Sequence, residues 1–278
     1  MQTRTIILTG ASDGIGAAAA AALKAHGHDV ILVGRSPAKT EAIARALSAP
    51  FHIADYARLS DVRRLAAELS RYDRIDVLAN NAGGIMGPRQ ITEDGFEKTF
   101  QVNHLAPFLM TQLLMEQLIA SRASVIQTAS QAANMWGKDF DVRDLDNAHD
   151  YAPERAYGRA KLANILFTRE LDRRHRADGI SAVAFHPGVV RSSFASDTSH
   201  FMRFVYHSPL KYLMTISPEK SAERLTALAE GTPGSDWQPG EVYDKGKPMP
   251  VAFKDDGSVA RTLWKRSEEL LAQKGLTG

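Results

Sequence analysis

Thr5-Ile6-Ile7-Leu8-Thr9-Gly10-Ala11-Ser12-Asp13-Gly14-Ile15-Gly16 runs straight into Ala17-Ala18-Ala19-Ala20-Ala21-Ala22-Leu23-Lys24-Ala25, and this stretch decides the fold. The β-branched and aliphatic run predicts a strand from Thr5 to Thr9, and the alanines predict a helix from Ala17 to Ala25. Between them, glycines let the backbone turn sharply and approach a pyrophosphate, whose charge then rests on the free N–H groups and positive dipole of the helix start. Gly14, Gly16 and Ala19 also match the dinucleotide fingerprint, whose last position accepts alanine. A glycine cluster alone also reads as a plain strand-to-helix turn, so the neighbouring segments carry the decision.

The next strand, Val30 to Val33, arrives about 20 residues on, where the fingerprint expects an acid for the ribose 2'-hydroxyl. No acid stands there. The strand ends Val33-Gly34-Arg35-Ser36, placing a guanidinium whose fork of donors suits a 2'-phosphate, with Lys39 one turn further along. The expectation is NADP(H) over NAD(H), held by Gly10, Ser12, Asp13, Gly14, Ile15, Gly16, Arg35 and Lys39. The plainer alternative for Arg35 and Lys39 is a solvated basic helix start.

Further strands are predicted at Phe51 to Ile53, Val77 to Ala79, Val125 to Thr128 and Ser181 to Phe185, with a last one near Val242. Helical patterns are clearest at Ala17 to Ala25 and Leu162 to Leu171, and others start near Pro37, Leu59, Thr92, Pro107 and Pro218. Met135 to Glu154 and Arg191 to Ser217 read as irregular. Short apolar strands alternating with helices predict the α/β class: a single-domain, Rossmann-type, doubly wound parallel sheet with helices on both faces, spanning 1–278. No fixed-period repeat interrupts it.

Bulk properties agree with a folded domain: 278 residues, 44% apolar and 24% charged. The formal charge of +2, from 34 basic and 32 acidic residues, points to neither a nucleic-acid nor a membrane surface. Zero cysteines exclude a disulfide framework, a thiolate nucleophile and a Cys-based metal site. The first strand begins at once, leaving no room for a signal peptide, and no apolar run approaches the length of a membrane span. The expectation is a soluble, cytoplasmic protein with no membrane anchor and no metal, acting on a small molecule, for which a homo-oligomer is one open state.

Several strand ends carry polar or small residues. Asp55-Tyr56 is a polar edge for a purine or merely a helix cap, and Asn80-Asn81-Ala82-Gly83 is a ligand edge or an ordinary turn. Ser130 follows the fifth strand. Tyr157-Gly158-Arg159-Ala160-Lys161 sets a phenol and an ammonium four residues apart, on one helical face. A free tyrosine has a pKa of about 10, and a nearby positive charge is what favours its phenolate. Ser130 would hold a substrate oxygen while Tyr157 passes it a proton. In open α/β sheets ligands bind outside the carboxyl ends of the strands, so one fold would gather all these sites, with His186-Pro187-Gly188, along a single edge.

In this order the motifs resemble the short-chain dehydrogenases/reductases: Thr-Gly-x-x-x-Gly-x-Gly at Thr9 to Gly16, then Asn80-Asn81-Ala82-Gly83, Asn103, Ser130, Tyr157/Lys161 and Pro187-Gly188. The resemblance covers essentially the whole chain. It implies a catalytic tetrad of Asn103, Ser130, Tyr157 and Lys161, with Asn103 holding a water in the proton relay and Lys161 also binding the nicotinamide ribose. It also implies cofactor contacts at Asp55, Tyr56, Asn81, Ala82, Gly83, Tyr157, Pro187, Val190 and Ser192, the last standing where the family often has threonine.

Ser130 and Tyr157 are 27 positions apart, about twice the commonest family spacing. With Trp136, Phe140, Asp144-Leu145-Asp146, Ala156 to Asn164, Ser217-Pro218-Glu219 and Leu263 to Glu268, this resembles the branch of retinol dehydrogenases, WW-domain oxidoreductases and protochlorophyllide reductases. That branch is mostly NADP-dependent. The chain departs from it in lacking an N-terminal anchor and the cysteine used by the light-driven reductases.

Residues 191–217 correspond to a substrate lid in the family. Phe201, Met202, Phe204, Tyr206, Leu210, Tyr212, Leu213 and Met214 there read as a cover for an apolar substrate, or as core or a dimer contact. His104, His186, His200 and His207 lack metal-ligand spacing and read as structural, and Arg173-Arg174-His175-Arg176 as a solvated basic helix end. The expected function is interconversion of a carbonyl and an alcohol by hydride transfer, with Tyr157 as general acid/base. The alternative is a catalytically silent NADP(H)-binding regulator or scaffold of the same fold.

Overall fold

The computed structural model describes residues 2–188, 216–255 and 257–276. Its strands are β1 (Thr5–Thr9), β2 (Asp29–Gly34), β3 (Phe51–Ile53), β4 (Val77–Asn80), β5 (Ser124–Thr128), β6 (Ser181–His186), β7 (Val242–Asp244) and β8 (Lys247–Pro248). They form one sheet in the order β3-β2-β1-β4-β5-β6-β7-β8, parallel up to β7, with β8 returning antiparallel as a short edge. Ile6 pairs with Val30 on one side and Val77 on the other, so the carboxyl ends of the central strands come out together.

The pleat of β1 shows why helices cover both faces. Ile6 and Leu8 point to one side, where they pack with Ala19, Ala20 and Leu23 of α1 (Gly14–Ala25) and Leu225 of α9 (Pro218–Glu230). Ile7 points to the other, into a larger core with Leu65 of α3 (Leu59–Leu69), Phe108 of α5 (Ala106–Leu113), Ile165 of α8 (Pro153–His175) and Trp264 of α10 (Ser258–Ala272). A strand buried on both faces must be apolar at every position, which is the run read in the sequence. The remaining helices are α2 (Pro37–Leu47), α4 (Lys98–Phe100), α6 (Met115–Ser121) and α7 (Ala132–Trp136).

Most expected elements form within a residue or two of their predicted bounds, and the differences have local causes. The helix expected from Thr92 starts instead at Lys98, because Thr92 to Phe96 is a turn closed by Gly95 (φ 86°) and by Thr92 N–H to the Phe96 carbonyl at 2.9 Å. Glu97 then caps the helix, accepting from the N–H groups of Thr99 and Phe100. Helix α8 begins at Pro153, nine residues before the predicted Leu162, so Tyr157 and Lys161 both lie inside it. The basic end Arg173-Arg174-His175-Arg176 is not simply solvated: Arg173 and Arg174 pair with the buried Glu170, and Arg176 with Asp172. The expected lid at 191–217 lies outside the described residues, apart from its last two positions. Among the described residues no helix is long and apolar enough to cross a membrane.

Candidate active site

The first turn after β1 is built on glycine. Gly10 and Gly14 hold positive φ (67° and 52°), and a Cβ on Gly16 would collide with the Gly10 carbonyl. The loop is fastened to β2 by Ala11 N–H to the Val33 carbonyl at 3.0 Å. Asp13 caps α1, its carboxylate accepting from Gly14 N–H at 2.7 Å, and also pairs with Lys39 Nζ at 3.0 Å. At the end of β2, Gly34 leaves room for Thr40 and Ser12: a Cβ there would collide with Thr40 Oγ1 and lie 3.0 Å from Ser12 Cβ; Arg35 follows, exposed. A bare backbone turn, a helix N-terminus and two cations beside it fit a dinucleotide phosphate group.

A second lattice binds the ends of β1, β4 and β5. The Thr9 hydroxyl accepts from the N–H groups of Asn81 and Ala82, both at 3.0 Å, and donates to the Ala79 carbonyl. Asn81 Nδ2 donates to the Thr9 carbonyl, and Thr128 donates to Asn81 Oδ1 at 3.3 Å. Asn81-Ala82-Gly83 is thereby set as a firm edge. Gly83 has no room for a side chain: a Cβ there would lie 2.5 Å from Asn103 Oδ1 and 3.2 Å from Lys161 Nζ. The strand end, Asn103 and Lys161 therefore converge on one point.

Asn103 sits in a π-helical turn, Gln101–Leu105, between α4 and α5. Such turns insert one extra residue per turn and are common at functional sites. Its amide is fully buried, donating to the Thr99 and Gly84 carbonyls at 2.9 Å and accepting from Gly84 N–H at 3.0 Å. Behind it, burial lowers His104 to about pKa 4, so its ring is neutral among Phe100, Phe108 and Phe167, with Nε2 3.1 Å from Ser267.

From α8, Lys161 is almost completely buried and donates to the Thr128 carbonyl at 2.9 Å, with Nζ 5.5 Å from the centre of the Tyr157 ring. Burial lowers its ammonium from 10.5 to about 7. Tyr157 is buried at 6% exposure in a small apolar cluster with Ile85 and Ala132, against which Trp136 packs. Ser130, at the end of β5, accepts from Ala132 N–H at 3.2 Å as α7 begins. Helices α7 and α8 touch because Gly158 has no side chain; a Cβ there would lie 2.7 Å from both the Ala132 carbonyl and Trp136 Cβ.

The remaining expected residues divide. Asp55 makes the bonds of a turn, accepting from Ala57 N–H at 3.0 Å. Tyr56 is in the core, where burial pushes its phenol well above the ordinary range, so any contact to a ligand from Tyr56 is confined to its backbone. Pro187-Gly188 follows β6 at the same edge, while Val190 and Ser192 lie outside the described residues. Three further side chains support that edge, and two of them, Ser221 and Arg224, carried no sequence signal. His186, lowered to about pKa 4 by burial, presents Nδ1 to the N–H groups of Gln131 (3.3 Å) and Gly188 (3.4 Å), joining the turns after β5 and β6. Ser221 of α9 donates to the Pro187 carbonyl at 2.7 Å, and Arg224 to the His186 carbonyl at 2.8 Å. Lone Ser and Arg residues on an amphipathic helix look like surface until the partner strand is known.

A doubly wound parallel sheet with a glycine turn after its first strand, and a buried lysine beside a tyrosine over its strand ends, defines a dinucleotide-binding oxidoreductase. The short chain dehydrogenase family model matches residues 4–142. The chain is 38% identical over 282 residues to human retinol dehydrogenase 13, covering 96% of this chain and 84% of that one. It is 39% identical over 272 residues to a protein of Streptomyces sp. (strain C5) named for daunorubicin C-13 ketoreduction, covering 95% and 91%. Among solved structures, an uncharacterized protein from Mycobacterium paratuberculosis matches with TM-score 0.75 and 31% identity, covering 97% and 93%. The Pseudomonas aeruginosa RhlG/NADP complex matches with TM-score 0.68 and 26% identity, covering 86% and 93%. The chain belongs to the short-chain dehydrogenase/reductase family, in its retinol dehydrogenase-like branch. It is therefore an oxidoreductase of the CH–OH/carbonyl pair that uses a nicotinamide cofactor.

Proposed function

We propose that this protein is an NADP(H)-dependent reductase or dehydrogenase for an apolar aldehyde, ketone or alcohol, with Tyr157 as its general acid/base. The observation that carries the reading is the convergence of Gly83, Asn103 and Lys161 at the strand edge beside Tyr157. The glycine turn Gly10 to Gly16 would hold the pyrophosphate, Arg35 and Lys39 the 2'-phosphate, and Asn81 to Gly83 with Lys161 the nicotinamide half. When bound, the cofactor supplies or takes up hydride at the substrate carbon.

In the direction of reduction, Ser130 orients the carbonyl oxygen and Tyr157 donates its phenolic proton to it as charge builds there. Lys161, with a pKa near neutrality, stabilises the tyrosinate by its charge and can hand on a replacement proton. Asn103 fixes the far end of that proton path. Oxidation of the alcohol runs the same groups in reverse. Ile85, Ala132 and Trp136 give Tyr157 an apolar wall, which favours a hydrophobic substrate. The names of the relatives suggest retinoids and anthracycline ketones as the first compounds to try.

The test is loss of reduced-nicotinamide absorbance with NADPH or NADH against retinaldehyde, daunorubicin and a panel of simple aldehydes and ketones. Turnover with NADPH of at least one hydrophobic carbonyl is expected. Tight NADPH binding with no turnover across the panel would instead favour a silent binding protein.

A further inference from the structure

The long segment between Ser130 and Tyr157 is tied by hydrogen bonds to α8 on one side and, through Glu97, to the cap of the short helix before Asn103 on the other. Arg159 lies on α8 midway between Tyr157 and Lys161, with its side chain only 14% exposed. It grips the segment through Asp139 (2.7 Å) and donates from Nη1 to Asn147 Oδ1 at 3.1 Å. The other end of the Asn147 amide donates to Glu97 Oε2 at 3.3 Å. Glu97 is fully buried and accepts from Thr99 N–H at 2.7 Å and Phe100 N–H at 2.9 Å, while the Thr99 carbonyl accepts from Asn103 Nδ2 at 2.9 Å. A buried carboxylate is costly, and among the described residues this one is satisfied by two backbone amides and one side-chain amide rather than by a cation.

We infer that Arg159, Asn147 and Glu97 are positioning residues that set the Asn103 turn in register with the helix bearing Tyr157 and Lys161. This rests on the reading of Asn103 as part of the proton path. None of the three touches the proposed reacting atoms, so their effect passes through Asn103. Asn147 is suited to the link: its backbone is left-handed (φ 49°), a conformation that asparagine tolerates, and its amide offers an acceptor to Arg159 and a donor to Glu97 at once. The segment that lengthens the Ser130 to Tyr157 spacing thus becomes a brace across the site rather than a surface insertion.

Asn147→Gly keeps the left-handed backbone while deleting the bridging amide, so it tests the link with little risk to the fold. Amide exchange followed by mass spectrometry, which needs no substrate, is expected to speed up at 98–105 by about tenfold in this variant. Arg159→Gln, altered at a residue whose hydrogen bonds run to Asp139 and Asn147, is expected to do the same. With retinaldehyde and NADPH, Asn147→Gly should lower kcat about tenfold and leave the NADPH Kd within about twofold. Added to Asn103→Ala, it should cost little further. Unchanged exchange at 98–105 in both variants would overturn the inference. So would a kcat loss that adds fully to that of Asn103→Ala. If Asn103→Ala itself left kcat unchanged, the parent reading of Asn103 would fail first, and the brace would be structural only.

Discussion

The Lys161 ammonium stands 5.5 Å from the Tyr157 ring centre and is held there by the Thr128 carbonyl at 2.9 Å, with only 2% of the lysine exposed. Two residues that are merely four apart in sequence are thereby made into one electrostatic unit. A charge hidden from water acts strongly on its neighbour and is costly to keep.

That cost should be visible in stability. Burial lowers Lys161 from 10.5 to about 7, so between those values the unfolded chain binds a proton that the folded chain does not. Stability of the cofactor-free protein therefore rises with pH across this window, the penalty being full below about 7 and gone above 10.5. Lys161→Met is expected to remove on the order of 3 kcal/mol of this rise between about pH 7 and pH 10. Denaturant melts of both proteins at several pH values check it; parallel pH dependences would show that Lys161 is not the group responsible.

Gly158 sets how closely α7 approaches the catalytic helix. Its missing Cβ leaves 2.7 Å to the Ala132 carbonyl and to Trp136 Cβ, and neither the backbone nor a packed tryptophan yields easily. Gly158→Ala should cost about 1–3 kcal/mol through overpacking, despite the better helix propensity of alanine. It should also lower kcat, because Ser130 precedes α7 directly. A thermal melt at or above that of the parent protein would contradict this.

The fold was legible because the strands are buried on both faces: Ile6-Ile7-Leu8 and Val77-Leu78-Ala79 are apolar at consecutive positions, a pattern that few other arrangements need. Of the candidate site, the sequence made legible the placement of Gly10 to Gly16 and Asn81 to Gly83 at strand ends, which the parallel sheet brings together at one edge. The helix expected from Thr92 was misplaced because Gly95 turns the chain and Glu97, not Thr92, supplies the cap. Tyr56 next to Asp55 looked like a ligand edge, yet its side chain packs into the core. Arg224 and Ser221 were beyond reach, since their partners are backbone atoms tens of residues away. The Arg159–Asn147–Glu97 contacts were hidden because these side chains meet across 12 and 50 positions of sequence.

On the proposed reading, cofactor choice depends on Arg35 and on Lys39, whose charge is shared with a neighbouring carboxylate. Asp13 pairs with Lys39 at 3.0 Å, so a 2'-phosphate must compete with this carboxylate for the lysine. Asp13→Asn is expected to strengthen NADPH binding over NADH by several-fold while keeping the helix cap, and Arg35→Ala to erode the preference by about tenfold or more. Fluorescence titration with both cofactors checks this. Equal affinities for NADPH and NADH in the parent protein would contradict the assignment of Arg35 and Lys39.

Proton transfer by Tyr157 is tested by Tyr157→Phe, which deletes one oxygen and preserves the ring packed beside Ile85 and Ala132. NADPH binding and kcat should be measured together on a carbonyl that the parent protein reduces. In this variant kcat is expected to fall by about a hundredfold or more with the NADPH Kd within about twofold. Near-parental turnover in Tyr157→Phe would contradict it.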